Sequence, residues 1–400
     1  MISVAEARER ILAALQPVAS ETVALDQAWG RVLARDLAAR RTQPPFAVSA
    51  MDGYALRVAD IAQAPVRLHC IGRSQAGAGF SGAVGVAETV RIFTGAPVPT
   101  GADAVVIQEN TTAEGDLVTI LETVPPGANI RAAGIDFKVG DIGLKRGRRL
   151  TARDIGLAGA LNHPWVPVHR RPRIAILATG DEVVLPGEPV GPDQIIGANG
   201  PALAALVRAA GGEPLLLPIV GDNADAIRAA FASARGCDLL VTIGGASAGD
   251  HDLIRVLVGE AGTRLDFWKI AMRPGKPLIF GAIGELPILG LPGNPVSALM
   301  TGLIFLRPAI ARLCGTPDVA DETETALVDR DLPANGVRHD YVRATRFIGA
   351  DGAARVTPLP SQDSSLSRAL ADADCLIIRA PHSPALPTGS PVPIMRLETW

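Results

Sequence analysis

Between Arg173 and about Thr316, short apolar runs alternate with amphipathic stretches, the βαβ rhythm that calls for a parallel sheet with helices packed on its faces. Buried strands are expected at Arg173–Leu177, Leu215–Val220, Leu239–Ile243 and Ile288–Leu291. Between them, Pro201–Ala210 follows Asn199 and stops at Gly211-Gly212, while Ala224–Arg235 follows Asp222 and stops at Gly236. These are helix start and stop signals, and the apolar spacing gives each helix one buried face. In such a sheet ligands sit beyond the carboxyl ends of the strands, so the residues just after each strand are the candidate site.

The chain is too long for one ordinary domain at 400 residues. Residues 1–45 read as helical and end at Pro44-Pro45; residues 141–170 carry a helix over Ala152–Leu161 and are expected to rejoin them as one helical domain. Residues 46–140 form a β-rich insertion, with strands such as Thr89–Phe93 and Ala104–Ile107 among many glycines. The α/β domain is placed at 171–317, and 318–400 is a small β-barrel or sandwich, with strands at Tyr341–Phe347 and Cys375–Arg379.

Several function classes are disfavoured. A net charge of -3 argues against general nucleic-acid binding. The uncharged stretch Leu286–Leu306 has the length of a membrane span, but Leu291-Pro292-Gly293-Asn294-Pro295 breaks it, so a buried strand, a turn and a core helix are expected, and no membrane partner. Met1–Gln16 is amphipathic rather than a signal peptide, which points to the cytoplasm. Cys70, Cys237, Cys314 and Cys375 are far apart, as for reduced thiols. No HExxH or GxSxG motif suggests zinc or serine hydrolysis.

The loops are more telling. Ala178-Thr179-Gly180-Asp181-Glu182 follows the first strand, and Gly244-Gly245-Ala246-Ser247-Ala248-Gly249-Asp250-His251-Asp252 follows the third. Glycines let backbone N–H groups approach an anion, and a following helix N-terminus adds positive partial charge, so these loops suit a phosphate; a tight turn with Asp250 or Asp252 capping the helix is the plainer alternative. Lys269, Arg273 and Lys276 follow, the last two within Met272-Arg273-Pro274-Gly275-Lys276-Pro277. This is no Walker loop, and its cations suit a small oxyanion or a phosphate. Glu182, Asp222 and Asp252 could recruit Mg²⁺ beside those phosphates, with helix capping the rival role for Asp222.

Taken together, long strings resemble the molybdopterin molybdenumtransferase family, known as MoeA and as the E domain of gephyrin. They are Pro44-Pro45-Phe46, Ser49 to Ala55, Ile92 to Ala96, Pro99 to Val105, Asn129-Ile130-Arg131 with Gly134 and Asp136, Thr179 to Glu182, Gly244-Gly245 with Ser247, Gly249 and Asp252, Lys269 to Pro277, and Leu291 to Ser297. The resemblance covers nearly the whole chain. It implies a homodimer of four-domain subunits, with a central α/β domain like that of molybdopterin adenylyltransferases. The implied reaction takes adenylylated molybdopterin and molybdate to molybdenum cofactor and AMP with Mg²⁺. Glycine loops would cradle the substrate, Glu182, Asp222 and Asp252 would hold Mg²⁺ or orient the attacking oxygen, and Lys269, Arg273 and Lys276 would offset anionic charge. Asp52, Thr94 and Asp136 would reach the site from the partner's β-rich lid. Lys276, Ser297, Arg343 and Ser364 match molybdate positions, beside the Pro292-Gly293-Asn294-Pro295 turn. The implied further partners are the adenylyltransferase that supplies the substrate and the molybdoenzymes that receive the product.

Three departures from the family pattern stand out: Arg273 for a usual lysine, Ile135 for a usual acid, and Asp363 for a usual glycine. Asp363 would repel molybdate unless its carboxylate points away. The rival readings are an adenylyltransferase of the same α/β fold and a noncatalytic, gephyrin-like scaffold.

Overall fold

Six strands form the central sheet in the computed structural model, which describes residues 1–244, 253–258, 263–317 and 323–397. Across the sheet they run Glu213–Leu216, Arg173–Ala178, Leu239–Ile243, Leu286–Leu291, Pro277–Ile283, Thr263–Lys269. The first four are parallel, as the βαβ rhythm requires. The last two join antiparallel, so the sheet is mixed rather than wholly parallel. The reason is local: Ile283 pairs with Leu286 across Gly284-Glu285, and so short a link permits only a hairpin. The strand expected at Leu215–Val220 instead spans Glu213–Leu216. Pro218 has no N–H to donate, and pairing resumes only at the Thr179–Val220 bridge.

Side chains alternate between two cores, as a two-period strand dictates. Ile174, Ile176, Leu239, Val241 and Ile243 face one side with Asn199–Ala210 and the helix beginning at Pro295. Ala175, Leu177 and Leu240 face the other, with Ala224–Ser233 and Leu253–Val258. The stretch from Leu286 is the expected strand, turn and core helix; among the described residues the helix Pro295–Leu313 is long and apolar enough to cross a membrane, yet 78% of its most apolar window is buried in the protein.

The amino-terminal reading needs correction. Val4–Ala14 is a helix capped by Ser3, but its buried Val4, Ala7 and Ile11 pack into the central core. Segments 20–45 and 141–170 do share one apolar core, though mostly through strands. Ser20–Ala24 pairs with Trp165–His169 and Leu37–Ala38 with Ile142–Leu144, leaving Ala152–Ala160 as the α-helix there. Thr22, Val23, Val166 and Val168 are β-branched, and their register face to face outweighs the helical pattern.

The insertion is a six-stranded sheet in which Gly53–Leu56 lies between Ala104–Ile107 and Glu88–Ile92. At the other end Glu324–Val328, His339–Ile348, Ala354–Pro358, Cys375–Arg379 and Pro391–Arg396 close into a five-stranded barrel, because the strand His339–Ile348 pairs with both Ala354–Pro358 and Cys375–Arg379.

Candidate functional site

The ends of the parallel strands converge on a cavity of about 510 Å³ lined by Thr179, Glu182, Gly244, Gly293, Asn294 and Pro295, with apolar side chains around its mouth. Thr179 donates its backbone N–H to the Ile243 carbonyl at 3.0 Å, while its buried Oγ1 has no partner among the described residues. Gly244 is at φ +90°, and a Cβ there would stand 2.9 Å from the Thr179 carbonyl oxygen, so only glycine lets these two loops meet. The rest of the glycine loop, with Gly245, Ser247, Gly249, Asp250, His251 and Asp252, lies outside the described residues.

Asp222 is not a helix cap. Asn223 takes that role, its Oδ1 accepting from the N–H groups of Asp225 at 2.9 Å and Ala226 at 3.0 Å. Asn199, expected as a cap, instead donates Nδ2 to the Gly293 carbonyl at 2.7 Å and so ties its helix to the Pro292–Pro295 turn. Asp181 Oδ1 accepts the Asp222 N–H at 3.2 Å. Burial, then the charges of Asp181 and Glu182, push the Asp222 carboxyl above its ordinary range. Among the described residues none of these three carboxylates forms an ion pair, and no three metal-ligating side chains converge.

The cation loop is held from two sides. Met272–Arg273 pairs in parallel with His339 and Asp340 of the barrel. Gly275, at φ +100°, lies so near the helix beginning at Pro295 that a Cβ would stand 2.5 Å from Thr301 Cγ2. Lys269 Nζ lies 3.5 Å from the centroid of the Trp268 ring. Lys269, Arg273 and Lys276 make no ion pair among the described residues, so their charge is uncompensated there.

The barrel adds a second group against the same helix. Asn294 Nδ2 donates to Ser364 Oγ at 2.9 Å, and the Val296 N–H donates to the Ser364 carbonyl at 3.0 Å. Ser297, one turn into that helix, is buried. Arg343 is 1% exposed; Nη2 donates to the Asp363 carbonyl at 3.0 Å, whereas Nη1 is buried with no acceptor among the described residues. Burial lowers its pKa and Asp363 opposes that shift. The Asp363 carboxylate itself accepts from Ser365 N–H at 2.8 Å and Ser365 Oγ at 2.7 Å, bonds that hold its pKa low and turn it toward Ser365.

Asp52 and Thr94 are together as the lid strings imply, Asp52 Oδ1 accepting from Thr94 N–H at 2.7 Å and Oγ1 at 2.8 Å, which depresses the Asp52 pKa. Asp136 is exposed on a nearby loop, its N–H bonded to the Gln43 carbonyl at 3.2 Å. Within the described chain no hydrogen bond or strand pairing joins Asp52, Thr94 or Asp136 to the strand-end cavity. A larger cavity, about 1050 Å³, lies at the opposite ends of the strands near Asp238 and Leu286 and contains none of the expected site residues.

Sequence reasoning missed Asn223 and Gln362. Asn223 adjoins Asp222, and helix boundaries read from sequence are too loose to separate adjacent caps. Gln362 contacts Arg343, nineteen positions away in the chain, and no local pattern marks it.

Three family models match in order: the MoeA N-terminal region (domain I and II) over residues 2–161, a probable molybdopterin binding domain over 175–312, and the MoeA C-terminal region (domain IV) over 325–397. The molybdopterin molybdenumtransferase of Haemophilus influenzae is 35% identical over 382 residues, covering 94% of each chain. The chain belongs to the molybdopterin molybdenumtransferase family. The Bacillus subtilis molybdopterin molybdenumtransferase is 33% identical, covering 94% of this chain and 90% of its own. A crystal structure of a molybdopterin biosynthesis MoeA protein from Pyrococcus horikosii superimposes with a TM-score of 0.86 at 29% identity, covering 100% of both chains.

Proposed function

We propose that the protein is a molybdopterin molybdenumtransferase: it takes adenylylated molybdopterin and molybdate, cleaves the phosphoanhydride, and yields molybdenum cofactor and AMP, working in the cytoplasm. The observation that carries this reading, beyond family membership, is the buried Arg343 Nη1, without an acceptor among the described residues, on the segment that docks Ser364 at the start of the helix at Pro295. A guanidinium N–H left unpaired away from water costs on the order of 1–3 kcal/mol, so the position favours an anion. Lys276, Ser297, Arg343 and Ser364 would hold molybdate there. The Thr179–Asp181 loop and Gly244 would cradle the substrate phosphates, and Lys269 and Arg273 would offset charge that develops as the bond breaks.

For Mg²⁺, the fitting feature is a set of neighbouring carboxylates with no counter-charge among the described residues: burial first, and then the charges of Asp181 and Glu182, raise the Asp222 pKa. Glu182 and Asp222 would hold the ion with Asp252. When bound, it would supply neutralisation of the phosphoanhydride oxygens. Asp52, Thr94 and Asp136 would serve a second copy of the chain in a homodimer, which fits their absence from the lining of the cavity in their own chain.

The test is AMP release from adenylylated molybdopterin. Release that requires both molybdate and Mg²⁺ is expected; ATP consumption would make the protein an adenylyltransferase, and no turnover would leave a scaffold. Mixing Asp52→Ala with Asp222→Ala subunits is expected to recover activity above either parent, since one site of the mixed dimer is intact; no recovery would overturn the shared site.

A further inference from the structure

The strand His339–Ile348 pairs with Ala354–Pro358 only as far as Ala344. Beyond that point the Leu359 N–H still donates to the Arg343 carbonyl at 2.9 Å, but the chain then turns at Pro360 and leaves the Arg343 N–H without a backbone partner on that side. The side chain of Gln362 takes the vacant place. Its Oε1 accepts from Arg343 N–H at 2.9 Å and from Arg343 Nε at 3.4 Å. Its Nε2 donates to the Arg343 carbonyl at 3.0 Å and to the Leu359 carbonyl at 3.1 Å. A primary amide is the side-chain group that can donate and accept in this way, imitating one strand residue.

The same segment carries two more links. The Asp363 carbonyl accepts from Arg343 Nη2, and Ser364 docks on Asn294 and Val296 at the helix start. With Nε and Nη2 occupied by residues 361–363, Nη1 is the guanidinium nitrogen without an acceptor among the described residues.

We infer that Gln362 is the positioning residue of the oxyanion site: it fixes Arg343 so that Nη1 alone faces the anion, and it holds Ser364 in reach of the same anion. This rests on the molybdate reading above. Gln362 itself touches no substrate, so its loss weakens the grip on one reactant and leaves the other untouched.

The experiment measures AMP release as a function of molybdate and, separately, of adenylylated molybdopterin, for wild type, Gln362→Met and Gln362→Glu, with thermal melting alongside. Gln362→Met keeps the length and loses all four bonds; its KM for molybdate is expected to rise about 10-fold or more, as for loss of a charge-assisted contact, with kcat at saturating molybdate and KM for the pterin near wild type. Gln362→Glu keeps the acceptor but faces two carbonyls and places a negative charge beside the anion, so its molybdate KM is expected to rise further. If Gln362→Met fails to fold, Gln362→Glu decides. An unchanged molybdate KM in a folded variant, or equal rises in both KM values, would overturn the assignment. A wild type that needs no molybdate for turnover would instead sink the functional reading on which it rests.

Discussion

The strand-end cavity and the helix-barrel junction are both charged, and they handle charge in opposite ways. Beside the cavity, which Glu182 lines, Asp181, Glu182 and Asp222 stand near one another with no ion pair among the described residues, and burial together with these charges raises the pKa of Asp222. At the junction a cation is buried among carbonyl oxygens, with one N–H left over and its pKa lowered by desolvation. Neither region is neutralised by an ion pair among the described residues. Under the proposed function the first would be completed by a cation and the second by an anion, and the turn before Pro295 touches both, through the cavity lining and through the Asn294–Ser364 bond. Asp52 shows the contrast within carboxylates, since Thr94 satisfies it and its pKa falls.

The largest expected effect comes from removing the buried cation. Arg343→Ala should lower AMP release at limiting molybdate by about 100-fold or more, in the range seen when a transition-state or oxyanion donor is deleted, and Arg343→Lys should not restore it because an ammonium cannot satisfy the same fork. A steady-state titration with molybdate measures it, and wild-type turnover in Arg343→Ala would make the junction purely structural.

Next comes Asp222→Asn, which should cut turnover and raise the Mg²⁺ needed for half-maximal rate, while leaving thermal stability equal or higher at neutral pH. The sign follows from linkage: the folded pKa of Asp222 lies above its unfolded one, so the ionised group opposes folding. That opposition is complete above the folded pKa, fades as pH falls from the folded pKa toward the unfolded one, and is gone below the unfolded pKa. Melting curves from neutral to acidic pH should therefore converge for wild type and variant; a variant less stable at neutral pH would return Asp222 to a structural role.

The smallest effect separates the neighbours. Asn223→Ala should cost about 1 kcal/mol of stability through loss of the cap, with AMP release unchanged. Denaturant unfolding beside the same turnover assay checks it, and a loss of turnover as large as that of Asp222→Asn would blur the division between the two residues.

Much of this was legible beforehand because it depends on local chemistry. The alternation of Ile174, Ala175, Ile176 and Leu177 specifies a strand buried on both faces, and the glycine, proline and charge pattern from Lys269 to Pro277 specifies a rigid cationic loop. The cavity end of the sheet followed from strand polarity alone. The helical reading of residues 20–45 failed because strand pairing with 165–169, far along the chain, decides the conformation of β-branched residues.

What the amino-acid order determined by itself was the rhythm of the central sheet, the loops at its functional end and the kinds of charge placed there, since these depend on periodicity and on residues adjacent in the chain. Tertiary structure alone decided which of Asp222 and Asn223 caps a helix, that the cation loop is stitched to the barrel, and that Gln362 stands in for a missing strand neighbour of Arg343. Those outcomes turn on donors and acceptors brought together across long stretches of chain, where an unpaired buried group is costly and no local pattern announces which partner will satisfy it.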